Sequence, residues 1–173
     1  AHFLSAQKDY TVTLADASAE QLQRGNGVAA LVVDATDSKA LTEILEPHDA
    51  VINAGPFWLR PLAAEAARGA RTHYFDLTED VANTPKVMAL AESAETAFMP
   101  QCGLAPGFVS IVAADLAKRF DILKDVQMRV GALPKYPTNA LKYNLTWSTD
   151  GLINQHWNMP EHLVDRRPTE RNT

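Results

Sequence analysis

Apolar and polar residues change period repeatedly along the chain, and each change marks an element. YTVTLAD alternates and is rich in β-branched residues, which predicts a strand over residues 10–15. SAEQLQRG follows as a helix, with Ser18 as N-cap, Glu20 in the first turn and Gly25 as the stop. VAALVVD, residues 28–34, is a continuous apolar run, the pattern of a strand buried on both faces of a parallel sheet. SKALTEILEP predicts a short helix ending before Pro47, and DAVINA, residues 49–54, the next strand. LRPLAAEAARG is an Ala-rich helix that ends at Gly69, with Pro61 tolerated in its first turn. THYFDL (72–77) is a strand, and TPKVMALAESA (84–94) a helix capped by Thr84 with Pro85 at its first position. ETAFMPQCG holds a short strand and FVSIVAADLAKRF (108–120) a strongly apolar helix. At the front, Phe3, Leu4 and Ala6 read as the tail of an amphipathic helix that stops near Lys8 and Asp9.

Strands and helices alternating at this short spacing predict βαβ units around a parallel sheet. The texture changes near residue 123. DVQMRVGALP and ALKYNLTWST are strand-like runs joined by KYPTN, the start of an antiparallel layer. DGLINQHW suggests a helical turn, and the last stretch, MPEHLVDRRPTERNT, reads as a linker or the edge of a second domain. The expected division is therefore an α/β domain over residues 1–122 and the beginning of another over 123–173.

Composition narrows the function. The chain is 46% hydrophobic and 21% charged, ordinary for a globular protein with a core. A net charge of -5, with Lys and Arg scattered, argues against a nucleic-acid partner. No apolar run approaches the roughly 18 residues that span a bilayer, and no signal peptide is visible, so no membrane partner is expected. The single cysteine, Cys102, excludes an internal disulfide framework and points to a reducing cytoplasm. The five histidines show no metal-ligand spacing, so no metal is expected.

In an open α/β sheet, ligands bind outside the carboxyl ends of the strands. Four features fall there: Asp16, the pair Asp34-Ala35, the turn Asn53-Ala54-Gly55-Pro56 leading into Phe57, and Asp76. An acid at the tip of such a strand accepts hydrogen bonds from the ribose hydroxyls of NAD and repels a 2′-phosphate. Asp16 holds that place, and no Arg follows within DASAEQ, so NAD is favoured over NADP. Asp16 would equally cap the helix that begins near Ser18; Asp34 repeating the placement favours the ligand role. Small residues after Asn53 would let backbone approach a dinucleotide, although a tight strand-to-helix turn also accounts for them.

GNGVAA, residues 25–30, matches a glycine fingerprint in letters only. A phosphate-binding turn must follow a strand and open a helix, whereas Gly25 and Gly27 close a helix and precede a strand. The fingerprint normally lies about 20 residues before the ribose acid, which here falls ahead of residue 1. The expectation is a fragment whose sheet lacks its first strand and which alone has no dehydrogenase activity. A Tyr-x-x-x-Lys pair, the mark of short-chain dehydrogenases, is absent: Leu14, Thr78, Ala140 and Trp147 stand four residues after the tyrosines.

VTLADAS, VVDATDSKAL, VINAGPFW, THYFDLTED, PQCGLAPGF and ALKYNLTWSTDGLINQ together resemble the saccharopine dehydrogenase-like family, in order, from residue 1 to at least 159. The resemblance implies a Rossmann-type doubly wound sheet followed by an α+β substrate and dimerisation domain, hence a homodimer. It implies reversible oxidation of a C–N bond in an amino acid or its secondary-amine adduct, with NAD(P) taking the hydride. By the same resemblance Asp16 is the ribose-binding acid, Asp34 and Ala35 the adenine-side turn, and Asn53 to Phe57 the turn beside the dinucleotide. Asp76 corresponds to an acid near the nicotinamide end, the one catalytic candidate, and Cys102, Gly103 and the residues to Gly107 to a segment lining the active-site mouth. Where saccharopine reductases resemble Gly-Leu-Asp-Pro-Gly, this chain has Ala105, which leans toward a lysine 6-dehydrogenase type of substrate.

Overall fold

The computed structural model describes residues 1–25, 27–77, 82–129, 134–136 and 140. Its elements run α1 (His2–Ser5), β1 (Thr13–Asp16), α2 (Ala19–Leu22), β2 (Ala29–Val32), α3 (Ser38–Leu45), β3 (Ala50–Asn53), α4 (Arg60–Ala70), β4 (His73–Asp76), α5 (Thr84–Glu92), β5 (Phe98–Met99) and α6 (Phe108–Ala117). Among the described residues every strand pairing is parallel. β1 pairs with β2, while β3, β4 and β5 form a second sheet in that order. These are the pairings of strands 2-3 and 4-5-6 in a doubly wound sheet of order 3-2-1-4-5-6. The pairings missing among the described residues are those a strand 1 would make, between β1 and β3. This is the expected Rossmann-type frame, divided at the expected strand.

The two sheets meet at their amino ends through His48. Its Nδ1 lies 2.8 Å from the Ile44 carbonyl and must donate there, which leaves Nε2 to accept from the Thr13 hydroxyl at 3.2 Å. One inserted strand separates its neighbours by roughly 10 Å. That is a gap a histidine reaching toward a threonine can bridge.

The core lies between the second sheet and the helices α3, α4 and α5. Leu41 and Leu45 of α3 meet Ala63, Ala64, Ala66 and Ala67 of α4, with Tyr74 and Val87 closing the cluster. Alanines on the inner face of α4 let the helices approach closely. Gly69 serves the same contact: a Cβ there would sit 3.4 Å from Thr42 Cγ2 of α3. Gly69 is thus not the expected helix stop. α4 runs on to Ala70, and Arg71 takes the left-handed end position at φ 56°.

Other expectations shift in informative ways. Ser18 does cap α2, its hydroxyl accepting from the Gln21 amide at 3.3 Å. Thr84 does not cap α5; it is the first helical residue, after Asn83, with Pro85 next. β2, expected to be buried on both faces, is exposed along its length, with Leu31 at 41% and Val32 at 65%. Among the described residues it pairs only with β1, and α3 leaves it to pack on α4 instead. Residues 125–129, part of an expected strand, form no helix or strand. ALKYNLTWST from Leu141 onward, DGLINQHW and the final stretch lie outside the described residues, as does most of KYPTN. Among the described residues no helix is long and apolar enough to cross a membrane.

Truncating a core side chain tests this arrangement. Leu41→Ala should cost about 2–4 kcal/mol of unfolding free energy, because a well-packed helix pair collapses only partly around the void. Urea denaturation measures it, and a loss under about 1 kcal/mol would place α3 outside the core.

Candidate functional site

Parallel pairing puts the carboxyl ends of the strands on one edge, and each sequence-derived candidate lies there. Asp16 ends β1 opposite Val32 of β2. Asn53 of β3 stands in register with Asp76 of β4. Asp34 and the segment 101–107 follow β2 and β5 at the same edge.

Asp16 is exposed, and its Oδ1 accepts the Ser18 amide at 2.8 Å. The carboxylate therefore shapes the turn into α2 while staying open to solvent. Asp34 repeats the device. Its Oδ1 accepts both the Thr36 amide at 2.9 Å and the Thr36 hydroxyl at 2.7 Å, and these bonds hold its carboxyl below the usual carboxylate range. Asp37, which sequence reasoning had not singled out, caps α3 through the amides of Lys39 and Ala40. Ala35, half-buried, packs against the core.

The turn after β3 is built by Asn53. This side chain is buried; its Oδ1 accepts the Gly55 amide at 3.0 Å and its amide nitrogen donates to the Tyr74 hydroxyl at 3.4 Å. Gly55 has an internal reason to lack a side chain, since a Cβ would sit 2.8 Å from Leu59 Cδ2 and 3.1 Å from Asn53 Oδ1. Ala54 and Pro56 are exposed, Phe57 is half-buried, and Trp58 is 51% exposed. The tight-turn explanation therefore accounts for Gly55, while Ala54 and Pro56 present a small exposed outer surface.

Asp76 differs most from expectation. It is fully buried, and Arg60, which the sequence had not flagged, is buried with it. Arg60 Nε donates to Asp76 Oδ2 at 2.8 Å, and Arg60 Nη1 donates to the Thr84 hydroxyl at 3.2 Å. Asp76 Oδ1 accepts the Gln101 amide at 3.2 Å, and its backbone carbonyl accepts the Cys102 amide at 2.7 Å. In this arrangement the carboxylate is closed to a substrate and serves as a junction between strands, helices and the segment after β5.

That segment is tightly folded. Gly107, at φ 120°, is the position where a side chain is least tolerable: a Cβ would collide with the carbonyl oxygen of Gly103 and lie 2.8 Å from the Gly103 nitrogen. Gly103 in turn approaches the Leu77 carbonyl, 3.0 Å from where its Cβ would be. Cys102 is half-buried, its thiol donating to the Met99 carbonyl at 3.3 Å. This segment is thus a close pair of glycines pinned to the end of β4, ahead of α6.

A divided doubly wound sheet with acids at its strand tips defines a dinucleotide-binding frame, and comparison with known proteins places it. Residues 1–99 match the saccharopine dehydrogenase NADP binding domain, and the chain belongs to that family. It is 28% identical over 162 residues to the saccharopine dehydrogenase [NADP(+), L-glutamate-forming] of Saccharomyces cerevisiae, covering 87% of this chain and 36% of that protein. The solved apo, histidine-tagged saccharopine dehydrogenase (L-Glu forming) from Saccharomyces cerevisiae superposes with a TM-score of 0.64 at 24% identity, covering 88% of this chain and 36% of that one. The chain thus spans about a third of the length of the relatives it matches. The family description names NADP, so the expected preference for NAD is not supported. Its basis was local: an Arg that holds a 2′-phosphate need not follow the acid in sequence, because the fold brings distant residues to the same edge.

Tyr74 gives a pH test of the buried cluster. Burial pushes its phenol from 10.0 up to about 12, against the Asn53 hydrogen bond and with help from the Asp76 charge. Unfolded tyrosine loses its proton at lower pH than folded Tyr74 does. The stability tied to the protonated phenol is therefore complete below pH 10 and lost as pH climbs toward about 12. Denaturation of wild type and Tyr74→Phe across this range should show a steeper alkaline loss in the wild type; parallel curves would refute it.

Proposed function

We propose that this chain supplies the nucleotide-binding part of an NAD(P)-dependent oxidoreductase acting on a C–N bond of an amino acid or its secondary-amine adduct. The observation that carries this reading is the placing of Asp16, Asp34 and the Ala54–Pro56 turn at the carboxyl edge of a divided parallel sheet, in a chain of the saccharopine dehydrogenase family. These residues fit the adenosine half of a dinucleotide: two exposed carboxylates, each with one oxygen already engaged in its own turn, and a small exposed surface beside them. Among the described residues no strand is followed by a Gly-x-Gly-x-x-Gly turn that opens a helix. That part of the site is assigned to a longer polypeptide carrying this chain.

In this reading Asp16 holds the ribose, Asp34 and Ala35 flank the adenine, and Asn53 to Phe57 shape the surface beside the dinucleotide. Cys102, Gly103 and the residues to Gly107 line the mouth through which the amino acid enters. When bound, the nicotinamide accepts or delivers the hydride. The protein must hold the substrate carbon against it and keep the reacting amine unprotonated, which calls for a base near the amine. Asp76 is not assigned that part, since its carboxylate is enclosed by Arg60 and the Gln101 amide. The longer protein is read as a cytoplasmic homodimer with residues 123–173 opening its substrate domain; the single cysteine and the family resemblance support this.

Two measurements test the proposal. The longer protein, assayed at the NADPH absorbance band with saccharopine, lysine and related amines, should turn over at least one of them, while residues 1–173 alone should not. Binding of dinucleotide with inertness toward every amine would favour a non-catalytic nucleotide-binding protein. Asp16→Asn should shift the NADPH-to-NADH affinity ratio roughly tenfold toward NADPH, because a ribose acid repels the 2′-phosphate. An unchanged ratio would remove Asp16 from the site.

A further inference from the structure

We infer that Arg60 is a positioning residue for the 101–107 segment and acts through Asp76; this rests on the reading of that segment as the mouth of the site. The placement of Arg60 is costly by itself. It is the first residue of α4, and a cation there faces the positive end of the helix dipole. It is also fully buried, where a guanidinium must be paired and hydrogen-bonded to be tolerated. Nothing in the formation of α4 requires an arginine at that point.

What the arginine does is fix a carboxylate. Its Nε holds Asp76 Oδ2 at 2.8 Å and its Nη1 reaches Thr84 at the start of α5, so the guanidinium plane is set by two elements at once. With Oδ2 held, Asp76 Oδ1 is directed to the Gln101 amide. Gln101 has φ 63°, a left-handed conformation that a non-glycine residue keeps only when its surroundings over-determine it. The bond to Asp76 Oδ1 and the neighbouring Cys102 amide bond to the Asp76 carbonyl supply that determination. The next residues are the glycine pair 103 and 107, whose close approach leaves little freedom to correct a displaced entry. Arg60 also touches the other loop of the site, since its carbonyl accepts the Tyr74 hydroxyl at 3.5 Å, and that hydroxyl accepts from Asn53. Thus one residue, through its backbone carbonyl on one side and its guanidinium on the other, links the turn after β3 to the segment after β5.

Cys102, the only thiol in the chain, reports the segment directly. Its rate of modification by an aromatic disulfide reagent should rise roughly tenfold in Arg60→Met under folding conditions, because the segment opens locally while the core stays closed. Amide hydrogen exchange at Gln101 and Cys102 should quicken in parallel, with Arg60→Lys falling between Arg60→Met and wild type. The comparison is Leu41→Ala, which weakens the core without touching this network and should leave the Cys102 rate within about twofold when both variants are held at matched global stability. Equal acceleration in the two variants, or none in Arg60→Met, overturns the proposal. Should Arg60→Met not fold, Arg60→Lys and Asp76→Asn are set against Leu41→Ala by the same criteria. Titration of the longer wild-type protein with NADPH is read separately: failure to bind would refute the functional reading and leave the thiol result to decide the role of Arg60.

Discussion

A buried ion pair between Arg60 and Asp76 is the constraint around which the carboxyl edge of the second sheet is organised. Pairs of this kind rarely stabilise a fold more than apolar residues of equal volume would, because both ions give up their hydration. Their effect lies in the cost of breaking them: one partner removed leaves the other charged and dry, about 3–5 kcal/mol of destabilisation. An apolar contact tolerates sliding, whereas this pair tolerates one geometry. It joins the start of α4, the end of β4, the start of α5 and the segment after β5, four pieces of chain that share no continuous secondary structure. The alanine-rich contact of α3 with α4 supplies burial; the ion pair supplies registration.

Registration at that edge matters because the loops there have few side chains with which to hold themselves. The turn after β3 is small, and the segment after β5 turns through glycines at 103 and 107. Each is anchored by a polar group from within the sheet, Asn53 for the first and Asp76 for the second, and Tyr74 and Arg60 connect the anchors. Exposed carboxylates do the corresponding work on the other sheet, where Asp16 and Asp34 each fold back on a following amide. Edge acids therefore divide by burial: those open to solvent shape their own turns and remain available, and the enclosed one holds its neighbours.

Much of the fold was legible because it depends on local patterns. The run from Val28 to Asp34 and the cap at Ser18 announce their elements without reference to anything distant. The edge position of Asp16, Asp34, Asn53 and Asp76 followed from strand ends alone. What escaped was every feature decided across the chain. Gly69 resembled a stop signal, but Thr42, far back in α3, is what its missing side chain admits. Thr84 resembled a cap, but its hydroxyl is taken by Arg60. Arg60 itself drew no notice in the Ala-rich stretch; only the pairing of β3 with β4 shows that Asp76, 16 residues on, lies beneath it. An arginine at the start of an Ala-rich helix, followed by a strand ending in Asp, is the signal that could have found it.

The same contrast explains why β2 is bare. An apolar run states that a strand is to be covered, not what covers it, and β1 and β2 pair only with each other among the described residues. In a doubly wound sheet the ligand crevice opens where the strand order reverses, beside strand 1. That is the place at which these two sheets part, and His48 bridging to Thr13 keeps them near each other at the opposite, amino end. Asp16 and Asp34 stand at the carboxyl edge of one sheet and the Asn53 turn at that of the other. Acids and turn can act together only if the separation of the two sheets is held, and among the described residues the His48–Thr13 hydrogen bond spans it.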